Sequence, residues 1–158
     1  MKLAEALSER KAIKAKMEEL KQRIYRNAQA QEGEPPAERP EDLIAELQAA
    51  TERFAALVAR INATNARVAI DGGESMSAAI LRKDMLRYLH LICTNLADKA
   101  TPSQDRYSRR EIKTVPAVDI VALRSRADAI AKEYRLLDLR VQEANWRHDL
   151  VDDGVIGG

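Results

Sequence analysis

Arg10 and Arg82 stand where their neighbours call for apolar side chains. Arg10 interrupts a row of Leu3, Ala6, Ile13, Met17, Leu20 and Ile24 at alternating spacings of three and four, and Arg82 falls inside an apolar arc that includes Ala79, Leu86, Leu89 and Cys93. A guanidinium taken out of water needs a partner, because an unpaired buried charge is strongly destabilising. If the helices read below alternate in direction, Arg10, Asn62, Asn65, Arg82, Asp84, Asn145, Trp146 and His148 share one end of a bundle. Two chemistries fit that neighbourhood. One is a pocket for an anion or small ligand, with the arginines as charge-assisted donors, Asn62 and Asn65 as orienting amides and Trp146 as a wall. The other is a closed polar network that fixes helix register, Arg82 pairing with Asp138 or with Asp84 of a second copy. The network is the favoured reading. No nucleophile stands beside a base, so no catalytic residue is expected.

A second cluster lies in a polar run: Asp105, Arg106, Tyr107, Arg109, Arg110 and Lys113. Cations with an aromatic suit phosphate or single-stranded nucleic acid. Asp105 and Glu111 dilute the charge and the tyrosine is alone, which favours a solvated loop or one forming salt bridges across a subunit interface. Asp71-Gly72-Gly73-Glu74 lacks the spacing and the Lys-Ser/Thr of a phosphate-binding loop, and reads as a turn. His90 and His148 fall on different helices without a Glu-x-x-His pattern, so neither a metal nor a cofactor is expected. Cys93, in the apolar run from Leu89 to Leu96, suits a small buried hydrophobe.

The elements that must position these residues are four helices. The first spans about 2–31 and is stopped by Gly33 and Pro35-Pro36. The second spans about 40–68, opening at Pro40 with Glu41 and Asp42 in its first turn, on a seam of Leu43, Leu47, Ala50, Phe54, Leu57, Ile61, Thr64 and Val68. Ser75 is placed to cap the third, about 76–100, whose apolar residues cover half its circumference and call for more than one neighbour. The fourth spans about 118–149 on Ile120, Leu123, Ala127, Ile130, Tyr134, Leu137, Val141 and Ala144. The expected fold is an all-α, elongated up-down-up-down four-helix bundle with heptad seams, one domain over 1–150, a flexible tail over 151–158, and a long loop or arm at 101–117.

Composition agrees with this reading. Of the 158 residues 46% are apolar and only 4% aromatic, which leaves Leu, Ile, Val, Met and Ala to fill the core, as in helix seams. Charges are near balance at a net +1, against a nucleic-acid footprint over a whole face. Residues 1–31 carry 8 Lys/Arg against 4 Asp/Glu and residues 32–60 carry 3 against 7, so the first two helices should lie against each other. Neither a signal peptide nor a membrane span is visible, making the reducing cytoplasm the expected compartment. The apolar excess of the third helix points to self-association, so a homo-oligomer is expected, with that helix and the 101–117 arm at the contact.

Several phrases together resemble a known family: Arg23-Ile24-Tyr25-Arg26-Asn27-Ala28 with Gln31-Glu32-Gly33-Glu34, Arg60-Ile61-Asn62-Ala63-Thr64-Asn65, Arg82-Lys83-Asp84, the run from Gln104 to Lys113, and Ala144-Asn145-Trp146. In this order they are similar to the septicolysin-like proteins, a family of small bacterial proteins otherwise treated as a domain of unknown function. The likeness spans nearly the whole chain, and the polar run is its most specific part. It implies a membrane-active cytolysin as an alternative function and supplies no catalytic motif; the amphipathic inserting element and secretion signal expected of a pore former are not seen.

Overall fold

The computed structural model describes residues 1–70, 72–102 and 114–152. Four helices are formed: α1 (Leu3–Arg26), α2 (Pro40–Arg67), α3 (Met76–Ala100) and α4 (Ile120–Arg147). The fold is all-α, with α1 packed on α2 and α3 on α4.

The helix starts follow their local chemistry. Pro40 occupies the first turn of α2, where its missing amide leaves no bond unmade. Ser75 Oγ accepts from the Ala78 N–H at 3.2 Å to cap α3. Asp119 Oδ1 does the same for α4 through the Ala122 N–H at 2.9 Å, so that helix begins at Ile120 rather than near Val118. The end of α1 departs from the sequence reading, stopping at Arg26 instead of near Gln31. Asn27 is the cause. Its side-chain amide donates to the Arg23 carbonyl at 2.9 Å and its Oδ1 accepts from the Glu38 N–H at 3.0 Å, which turns the chain before Gly33 is reached.

Two compact units are present, Met1–Ala69 with Glu143–Gly158 and Ile70–Gln142. In the first, Glu9–Arg53 and Lys16–Glu46 pair α1 with α2 and Arg23–Glu38 pairs α1 with the segment just before α2, a descending match of numbers that makes the helices antiparallel. Leu3, Ala6, Ile13 and Leu20 of α1 and Leu43, Leu57 and Ile61 of α2 are buried. In the second, Arg82–Glu133, Lys83–Asp138 and Asp98–Arg124 set α3 antiparallel to α4. Ala79, Leu86, Cys93 and Ala97 are buried there, as are Ala127, Ile130, Leu137 and Val141.

The two helix pairs are repeats of one pattern. Buried Leu3, Ala6, Ile13 and Leu20 correspond, 73 positions on, to buried Met76, Ala79, Leu86 and Cys93. Leu57, Ile61, Thr64 and Ile70 correspond, 80 positions on, to Leu137, Val141, Ala144 and Leu150, again all buried. The aromatic Phe54 matches Tyr134, and the Glu9–Arg53 pair matches Arg82–Glu133 with its charges exchanged. The segment following α2 also has its counterpart. The Ile70 N–H donates to the Glu74 carbonyl at 2.8 Å across a turn in which Gly72 and Gly73 take φ of 91° and 84°. After α4, the Leu150 N–H donates to the Met1 carbonyl at 2.9 Å and Lys2 bridges Asp149.

Candidate functional site

In the first unit Arg60 and Thr64, near the end of α2, are hydrogen-bonded to the segment that follows α4. Thr64 is fully buried; its hydroxyl donates to the Arg60 carbonyl at 2.8 Å and accepts from the Val151 N–H at 3.1 Å. Arg60 Nε donates to the Val151 carbonyl at 2.9 Å. Lys2 Nζ reaches Asp149 Oδ2 at 3.0 Å, and this hydrogen bond holds the Asp149 carboxyl below its ordinary range. Arg10, Asn65 and Asn145 are half-buried, Asn62 is exposed, and Trp146 has 65% of its surface free. Among the described residues no buried side-chain nitrogen or oxygen lacks a hydrogen-bond partner. These bonds tie Asp149 and Val151 to Lys2, Arg60 and Thr64.

Arg82 and Asp84 belong to the second unit. Arg82 forks onto Glu74, Nε to Oε1 at 3.1 Å and a terminal nitrogen to Oε2 at 2.7 Å, and Glu133 lies 3.6 Å away. Asp84 pairs with Arg87 at 3.2 Å. Asp138, one of the partners expected for Arg82, is held instead by Lys83 at 2.7 Å, and Lys83 Nζ also lies 6.0 Å from the centre of the Tyr134 ring. The Lys83 hydrogen bond keeps the Asp138 carboxyl below its ordinary range, against the opposing effect of its burial.

What the second unit leaves outward is apolar. Leu81, Met85, Tyr88, Leu89, Ile92 and Leu96 line one side of α3, roughly opposite its buried seam, and expose between 41% and 61% of their surfaces. Positions 73 earlier on α1 hold Ser8, Ala12, Ala15, Lys16, Glu19 and Arg23. The same pattern of buried residues is therefore built in the first unit beneath a small and polar outer face. That comparison becomes visible once the repeat is seen; the sequence signal for it is the recurrence of Leu-x-x-Arg-Ile/Val-x-x-Thr/Ala-Asn-x-Arg at 57–67 and 137–147.

A groove of about 620 Å³ between α1 and α2 was not foreseen from sequence: Lys11, Lys14 and Lys21 rim a floor of Ala15, Met17 and Leu47. It is open, and Lys21 is already tied to Glu18 at 2.7 Å, so it offers charge without converging donors. The loop candidates Asp105, Arg106, Tyr107, Arg109, Arg110 and Lys113 lie outside the described residues. Among the described residues no His, Cys, Asp and Glu cluster suited to a metal occurs, Cys93 is buried, and no helix is long and apolar enough to cross a membrane.

Residues 10–150 match the profile of a family of unknown function (DUF6847). The chain belongs to that family. This corrects the resemblance drawn from short phrases: the DUF6847 profile covers all of them, from Arg23 to Trp146, and has no septicolysin link. The cytolysin expectation, drawn from that resemblance, has no evidence behind it. A comparison with curated proteins finds no match. Among solved structures, this DUF6847 chain is similar to a functionally unknown conserved protein from Corynebacterium diphtheriae, 41% identical over 96% of this chain and 99% of that one, with a TM-score of 0.89. Short phrases, most of them on amphipathic helices, carry too little information to separate families, whereas the profile weighs residues 10–150 together.

Proposed function

We propose that this protein has a structural or interaction role and acts by associating with itself, the outer face of α3 being its working surface. One observation carries the reading. Where the first unit holds Ser8, Ala12, Ala15, Lys16, Glu19 and Arg23, the first five exposed and Arg23 half-buried against Glu38, the second presents Leu81, Met85, Tyr88, Leu89, Ile92 and Leu96 over the same pattern of buried residues. The helical hairpin thus forms without an apolar outer face, so the one on α3 has a use beyond holding the hairpin together. A contiguous patch of this kind on a chain otherwise rich in surface charge marks an interaction site. The favourable interaction is water leaving apolar surface, at roughly 1.5–3 kcal/mol for each large side chain fully covered and about half that for these half-exposed ones.

Light scattering coupled to size exclusion tests the proposal. The wild type should run as an oligomer at tens of micromolar, and Met85→Lys together with Ile92→Lys should give a monomer of unchanged helicity. A wild type that is monomeric throughout that range would overturn it.

A further inference from the structure

The outer face of α3 has an internal symmetry that selects its partner's orientation. Leu81 and Leu96, Met85 and Ile92, and Tyr88 and Leu89 are each equally far from a point midway between residues 88 and 89. Every large residue of the stripe thus has a counterpart of similar size at the same distance on the other side. Resting on the self-association proposed above, we infer that two copies of α3 pair antiparallel across a two-fold axis at that midpoint, Met85 of each copy facing Ile92 of the other.

An isologous interface requires a surface that is complementary to itself, residue i meeting j while j meets i. The stripe satisfies this along roughly 22 Å of helix. Charge disfavours the parallel alternative, which is also two-fold. Lys99 continues the same side of α3 one turn beyond Leu96, and parallel pairing would set it against the Lys99 of the second copy. Antiparallel pairing sets it against Ala78, at the same distance from the midpoint, and opposes the helix dipoles instead of aligning them. No charged residue lies among the six apolar positions, so nothing in the stripe itself resists either contact.

Cysteine pairing reads the register directly. In a Cys93→Ala background, Met85→Cys and Ile92→Cys chains are prepared separately, mixed to exchange and oxidised, with helicity and light scattering recorded for each. The expected result is a disulfide-linked dimer from the mixture and little from either chain alone. In the antiparallel register residue 85 and its own copy stand roughly 10 Å apart along the helix, beyond the reach of a disulfide. Strong self-linking of both single chains would establish parallel pairing and overturn the inference. Absence of any linking in a sample that light scattering shows to be dimeric would overturn it too, by placing the contact elsewhere. A monomeric sample would instead remove the self-association on which the inference rests, so the two failures are distinct.

Discussion

Asp138 releases its proton more readily than a free aspartate, because Lys83 Nζ donates to it at 2.7 Å and Gln142 also donates. Its native value is below the ordinary one of about 3.9, so its contribution to stability is present in full above that ordinary value and is lost as pH falls through the lower native value. Lys83→Met should therefore destabilise the protein by about 1–2 kcal/mol at neutral pH, between an exposed ion pair and a buried charged hydrogen bond. The difference from wild type should shrink as pH falls below about 4. Urea unfolding at pH 7 and pH 3 measures both; an equal difference at the two pH values would assign the effect to lost packing of the lysine stem. The need of Arg82 for a carboxylate was legible in the sequence, since a guanidinium in an apolar arc must find one. Which carboxylate was not, because helical pattern places a residue on a face and leaves the axial register between two helices open. That register gave Asp138 to Lys83 and brought Glu133 to Arg82, whose closer partner, Glu74, comes from the turn just before α3.

Seams, proline stops and capping residues made the helices legible, and α2 and α3 begin where Pro40 and Ser75 dictate. The end of α1 was hidden because the residue responsible acts at a distance: Asn27 completes the turn through Glu38, eleven positions on. Its removal should show at the level of this element. Asn27→Ala leaves the Glu38 N–H without its acceptor and is expected to cost about 1–2 kcal/mol, lowering the thermal midpoint by a few degrees. Calorimetry would check this, and an unchanged midpoint would mean that the Arg23–Glu38 pair holds the turn alone. The outer face of α3 was legible as an excess of apolar residues. Its meaning was not, because the repeat that supplies the comparison keeps residue identity mainly at 57–67 and 137–147 and, between α1 and α3, is carried by which positions are buried. Leu3 matches Met76 and Leu20 matches Cys93, substitutions that preserve a core and erase a sequence signal.

For the molecule as a whole, the repeated hydrogen bond between Ile70 and Glu74 and between Leu150 and Met1 has a consequence for the order of the chain. In the first instance three residues, Asp71-Gly72-Gly73, carry the backbone from one partner to the other. In the second the partners meet with no covalent link. A peptide running from Leu150 through Val151 and two glycines into Met1 would reproduce the first connection residue for residue, while keeping the Val151 contacts to Thr64 and Arg60. A circular permutant so joined, and opened between Gly72 and Gly73, should fold with the helicity of the parent and a midpoint within a few degrees of it. Loss of cooperative unfolding in circular dichroism would contradict this. On that expectation, the order in which the two hairpins follow one another along the chain is not what the fold depends on.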